Sequence, residues 1–191
     1  MYKRQIHCAA ALNVGVKDSQ REVVDPSIQG TKNLISAIPE GGVKTVIHTS
    51  SVAAIRPTKY VNGTKYGVGD WCDDATLESN PYGLAKAGAE RIIREWAEDK
   101  DVKLVTIHPS IIFGKPLQER HMEGSMSYLK HFLSGSSFVL NVHINFVGVD
   151  DVARAHIAAL DKGVNGKRYL IHSGGMWMRE VGLLLLSLIH I

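Results

Sequence analysis

Tyr82 and Lys86 stand four residues apart in the segment SNPYGLAKAGAER, residues 79–91. On a helix, that spacing places one side chain a turn above the other on a single face. A free phenol titrates near about 10, so at neutral pH it is a sluggish acid and a scarce base. A lysine ammonium one turn away favours the phenolate and lowers that value. Reaching about 7 takes about three units, or about 4 kcal/mol. A tyrosine tuned in this way protonates an alkoxide as it forms, or takes a proton from an alcohol. The bland account is a lysine that snorkels out at a helix start, with a tyrosine beside it by accident. Spacing alone does not choose between them.

Such chemistry needs a second group to hold the substrate oxygen. The segment VIHTSSVAA, residues 46–54, puts Thr49, Ser50 and Ser51 where an apolar strand ends. Ligands of open α/β sheets bind at the carboxyl ends of strands, where a serine can reach them. Ser51 hydrogen-bonding a carbonyl oxygen complements Tyr82. The competing account is that hydroxyls at a strand end cap loop backbone. A serine-hydrolase elbow, G-x-S-x-G, is absent.

Short β-branched runs alternate with helical patterns along the chain. Strands are expected at 6–10, 44–50, 103–109, 144–149 and 168–172. Asp25-Pro26 predicts an N-cap with proline at the first helical position, and Gly41-Gly42 a helix end. Ile28, Thr31, Ile35 and Ile38 follow with helical spacing. Asn80-Pro81 repeats the start signal for a helix to about Asp99, on which Tyr82, Lys86, Ala89, Ile93 and Trp96 form one stripe. Asp150 or Asp151 is expected to cap a third helix through Leu160, with Gly163 beyond it. Strand, helix, strand, helix, strand with apolar strands predicts a parallel sheet covered on both faces. Residues 56–80 read as a long loop of functional length. A small substrate-side lobe is expected near 115–145, with a short helix around 125–133.

The 191 residues carry a net charge of +3, are 45% hydrophobic and 21% charged, and show no long block of like charge. Nucleic-acid and anionic-membrane roles therefore lack support. Cys8 and Cys72 lack metal-ligand or redox spacing, so no metal site is expected and the thiols read as reduced and cytoplasmic. The apolar end VGLLLLSLIHI is too short to span a bilayer. Both ends read as non-native, 1–5 as a leader and 183–191 as a tail, leaving residues 6–182 as a fragment of a longer protein.

In order, IHCAA, HTSS, YGLAK, HPSIIFGKP and FVGVDDVARAH resemble the extended short-chain dehydrogenase/reductase family, also called the NAD-dependent epimerase/dehydratase family. The likeness is greatest to its dihydroflavonol-reductase-like and aldehyde or ketone reductase branch, and spans nearly all of residues 6–173. It implies an α/β fold: a Rossmann-like, doubly wound parallel sheet lacking the first βαβ units, with a small C-terminal substrate-side lobe. It implies that Ser51, Tyr82 and Lys86 are catalytic and that the cofactor is NADP or NAD, NADP being favoured. Thr49, Tyr82 and Lys86 would contact that cofactor, Lys86 at the nicotinamide ribose. Ala9 and Ala10 would line its groove, and Pro109, Ser110 and Ile111 would pass beside the nicotinamide. Asp150 and Asp151 would be structural, and Asp70 and Trp71 loop anchors. A small-molecule carbonyl substrate and a homodimer are the implied partners.

The sequence also departs from the family pattern. The phosphate-binding G-x-G-x-x-G is missing, so the 191-residue chain by itself is expected to bind no NADPH and to be inactive. Ser27 stands nearest the family's relay asparagine. Val52-Ala53 after Ser51 argue against a dehydratase, which carries an acidic pair there. Carbonyl reduction is the leading expectation. A sugar epimerase, a hydroxysteroid dehydrogenase and a non-catalytic cofactor-sensing or scaffolding relative stay open.

Overall fold

The computed structural model describes residues 3–12, 15–61, 63–133 and 139–189. In chain order its elements are β1 (Arg4–His7), α1 (Asp25–Ala37), β2 (Thr45–Thr49), α2 (Pro81–Glu98), β3 (Lys103–Pro109) and β4 (Ile111–Phe113). There follow α3 (Ser127–Leu133), β5 (His143–Gly148), α4 (Val149–Lys162), β6 (Arg168–Ile171), β7 (Gly174–Trp177) and α5 (Met178–Ile189). Four strands form a wholly parallel sheet in the order β1-β2-β3-β6. Ile6 lies opposite Ile47, Ile47 opposite Val105, and Ile107 opposite Tyr169.

Alternation along the strands divides the core into two layers. Val46 and Leu104 face α2, where Ile93 is fully buried against them and Leu34 and Ile35 of α1 close the layer. Ile47, Val105 and Ile107 face the other way, against Ala159 and Leu160 of α4. Helices on both sides explain why β3 is buried almost throughout. The doubly wound α/β fold is therefore present.

Boundaries differ from expectation for physical reasons. β1 ends at His7, so Cys8, Ala9 and Ala10 lie beyond the strand rather than in it. Its polar Arg4 and Gln5 pair opposite Thr45 and Val46. Asp25 is helical and caps nothing: a wide turn over Gln20–Val24 runs straight into α1, with Asp25 N–H donating to Gln20 O. That wider spacing makes room for Pro26, which lacks an N–H and crowds the preceding turn. α1 stops at Ala37 because Ile38, preceding Pro39, is extended. α4 starts from Gly148 with no side-chain cap; Asp150 and Asp151 lie in its first turn. Asp151 pairs with Arg154 and accepts a bond from Ser173 Oγ at 3.4 Å, tying α4 to the β6–β7 connection.

A second sheet has the order β4-β5-β7. β5, expected in the series of main strands, pairs in parallel with β4 and antiparallel with β7. Ile144 of β5 is buried with Met178 and Val181 of α5, and Leu185 packs against them. The short β4 and the glycine-rich β7 give little periodic signal. No described helix is long and apolar enough to cross a membrane.

One buried carboxylate joins α2 to the sheet. Glu90 is fully buried. It accepts bonds from Ser50 Oγ at 2.7 Å, His108 Nε2 at 2.7 Å and Arg168 Nε at 2.8 Å. Arg168 also donates to Val68 O and Asp70 O, at 2.8 and 2.6 Å, and stacks 4.0 Å over the Trp71 ring. Burial alone pushes the Glu90 carboxyl up, but His108, Arg168 and Ser50 outweigh it and hold it to about 2. A depressed carboxyl contributes stability above its ordinary value of 4.5 that is lost as pH falls towards about 2. Glu90→Ala is expected to cost about 3–5 kcal/mol in urea unfolding at pH 7. Glu90→Gln should lose the part of the acid sensitivity that lies below pH 4.5.

Candidate active site

The start of α2 is built to hold its first turn still. Asn80 Oδ1 accepts from Gly83 N at 2.9 Å, while Asn80 Nδ2 donates to Thr58 Oγ1 at 3.1 Å and contacts Cys72 Sγ at 3.6 Å. Gly83 is required there, since a Cβ would fall 2.4 Å from Asn80 Nδ2. Gly88 lets α1 approach, because a Cβ would stand 2.8 Å from Ile28 Cδ1. The long loop is pinned to this cap: Thr58 and Lys59 N–H donate to the Asp74 carboxylate. Asp70 and Trp71 serve as anchors through Arg168, and Arg91 stacks on the same indole.

Tyr82, Lys86 and Glu90 then succeed one another along the face turned to the sheet. Lys86 is 5% exposed, and its Nζ donates to Thr49 O at 3.0 Å, at the end of β2. Burial pushes Lys86 down to about 8, with Cys8 and Glu90 opposing. Its Nζ lies 6.0 Å from the centre of the Tyr82 ring. The phenol itself is raised above its ordinary value: burial is the cause, and the Ser51 hydroxyl opposes it. In the chain alone, loss of hydration sets the direction of the shift.

Ser51 caps backbone and also stands beside Tyr82. Its Oγ accepts from Ala53 N at 3.1 Å, capping the short turn Val52–Ala54, and it is also the hydroxyl beside Tyr82. Ser50 is turned away, into Glu90. Ala9 and Ala10 are exposed just past the end of β1. Pro109 ends β3, and Ser110 follows, buried with its Oγ unpartnered, before Ile111 opens β4. Because β1, β2 and β3 are parallel neighbours, these positions share one sheet edge with Ser51 and Lys86. Ser27 Oγ donates to Val23 O at 2.8 Å and accepts from Ala11 N at 3.3 Å, bracing the segment after β1. An open cleft lined by Gln118, Glu119, Met122, Glu123 and Lys130 includes none of the three candidate catalytic residues.

Sequence reasoning missed Glu90, although it extends the stripe by one further turn from Lys86. It also missed His48, fully buried with both ring nitrogens unpartnered, stacked 5.4 Å from His7. Burial, with Lys86 adding to it, pushes His48 down to about 3, so the imidazole is neutral.

A family model described as the NAD dependent epimerase/dehydratase family matches residues 3–171. The chain belongs to that family. Cinnamoyl-CoA reductase 1 of Petunia hybrida is 33% identical over 162 residues, covering 81% of this chain and 47% of the relative. Anthocyanidin reductase of Arabidopsis thaliana is 32% identical over 181 residues, covering 86% and 53%. The chain spans about half the length of these curated relatives. Among solved structures, Gre2 from Candida albicans in complex with NADPH superposes with a TM-score of 0.85 at 24% identity, over 97% of this chain and 60% of that one. Yeast methylglyoxal/isovaleraldehyde reductase Gre2 with NADPH gives 0.84 at 23%, over 94% and 58%. At these identities the two structures establish the shared fold.

In this family member Lys86 is held where charge is costly. A lysine depressed to about 8 weakens the fold at neutral pH, and stability rises as pH climbs from about 8 towards 10.5. Lys86→Met is therefore expected to raise the urea midpoint at pH 7, with the gain disappearing by about pH 10.5. Equal midpoints at pH 7 would show that the buried ammonium carries no net cost.

Proposed function

We propose that the protein is a reductase that uses NAD(P)H, with NADPH favoured, to reduce an aldehyde or ketone carbonyl. The observation that carries this reading is the convergence of Ser51, Tyr82 and the buried Lys86 at the carboxyl end of β2. The nicotinamide side of the cofactor fits these residues. Among the described residues Lys86 has one protein acceptor, Thr49 O, leaving ammonium donors for a ribose diol. Ser110 Oγ is buried with a free hydrogen-bonding capacity, and Ala9 and Ala10 present little bulk. A bound nicotinamide would supply the hydride.

The chain's own residues would then handle the oxygen. Ser51 Oγ donates a hydrogen bond to the substrate carbonyl and fixes its orientation. Tyr82, raised by burial, keeps its proton at neutral pH and is ready as a general acid. As hydride reaches the carbon, the phenol proton passes to the developing alkoxide, giving the alcohol. The phenolate left behind faces the Lys86 ammonium, which stabilises it only at that stage. Val52-Ala53 after Ser51 provide no acidic pair for a dehydration, which supports reduction. The named activities of the cinnamoyl-CoA and anthocyanidin relatives support the same class.

In the whole protein, Tyr82→Phe is expected to lower carbonyl-dependent NADPH oxidation about 10²–10⁴-fold, the range of a lost general acid. Cofactor affinity by fluorescence titration should be nearly unchanged. Turnover that survives the substitution would overturn the assignment.

A further inference from the structure

Cys8 lies just past β1 with its side chain exposed. Its Sγ is 3.1 Å from Thr49 Oγ1, and that hydroxyl is 2.7 Å from His156 Nε2. The other ring nitrogen, His156 Nδ1, is 2.7 Å from Val152 O on the same helix. A carbonyl only accepts, so Nδ1 carries a proton and Nε2 is the nitrogen that exchanges one. His156 is 6% exposed, so its ring is fixed by packing as well as by that bond.

We propose that Cys8, Thr49 and His156 form a reactive thiol site that takes soft carbon electrophiles, of which α,β-unsaturated carbonyl compounds are the natural class. A nucleophile, a hydrogen-bonded base and a third group orienting the base are the parts such a site needs. Thr49 has one hydroxyl proton, which couples the two ends. Thr49 Oγ1 donates that proton to Cys8 Sγ, so the bond between Thr49 and His156 is made with Nε2 donating. With both ring nitrogens protonated, His156 is an imidazolium, and the sulfur that accepts from Thr49 is its thiolate partner. The titratable groups facing the sulfur are His156 on α4 and Lys86 on α2. Their effects agree with the geometry: the Cys8 thiol is held down, chiefly by its bonding to His156, and His156 is held up, chiefly by Cys8.

The step conserves electrons. The thiolate forms a C–S bond to the β-carbon, the C=C pair becomes an enolate, and water returns the proton to the α-carbon. Nothing is oxidised. The site does not depend on the hydride-transfer reading. Cys72 provides an internal reference, since it is buried.

The test is alkylation of the full chain by iodoacetamide and by acrylamide at about pH 6.5, followed by mass spectrometry of the two cysteine peptides. Cys8 is expected to react about tenfold or more faster than glutathione under the same conditions, with Cys72 slower than both. Thr49→Val and His156→Gln should each slow Cys8 and move its pH midpoint upward, while Thr49→Ser restores the rate. A Cys8 rate no greater than that of glutathione overturns the proposal. So does a fast rate unchanged by both substitutions, which would reduce the effect to exposure. Should either variant fail to fold, the comparison of the unsubstituted chain with glutathione decides.

Discussion

The Glu90 carboxylate is the interaction on which the arrangement depends. It is fully buried, and a buried charge that loses its partners is worth several kcal/mol of destabilisation. Its partners come from four places: Ser50 after β2, His108 in β3, Arg168 in β6, and, through Arg168, the backbone of the 56–80 loop. Satisfying one carboxylate therefore fixes the rotation of α2 about its axis. Tyr82 and Lys86 lie two turns and one turn earlier on the same face, so they are aimed by the same constraint. Apolar packing of Ile93 supplies adhesion, but apolar contacts are not directional and would tolerate a rotated helix.

The site itself runs against local stability. Lys86 is buried with a depressed value, Tyr82 is raised, and His48 is buried without hydrogen-bond partners and held neutral. Each of these is a cost that an ordinary core would avoid by using apolar residues. Their concentration beneath the first turns of α2 sets that face of the sheet apart from the Ile47–Val105–Ile107 layer, whose buried cluster is apolar.

The two faces are nevertheless connected. Thr49 ends β2 with its carbonyl toward Lys86 of α2 and its hydroxyl toward His156 of α4. A single strand-end residue thus bridges the proposed acid/base residues and the proposed thiol line. The reason is the alternation of a strand: carbonyl and side chain leave the backbone in different directions, and here each meets a titratable group.

Much was legible in the residues alone. Strands at 44–50, 103–109 and 168–172, the Asn80-Pro81 helix start and the Tyr82–Lys86 stripe follow from local rules of periodicity and capping, which act over a few residues. The ordered motifs added the family. What the sequence by itself could not determine was anything set by distant partners. Asp25 looked like a cap but lies inside a continuous helical run, because burying Val23 and Val24 against Ala85 extends the helix backward. β5 looked like a main-sheet strand, but Ile111–Phe113 and Gly174–Trp177 draw it into a second sheet. Glu90, His108 and Arg168 are 78 residues apart at their extremes and carry no shared pattern. Only the folded chain brings them together, because the energy of a buried charge depends on what surrounds it and not on what precedes it. The same holds for Tyr82: spacing named the residue, while burial decided that it would hold its proton.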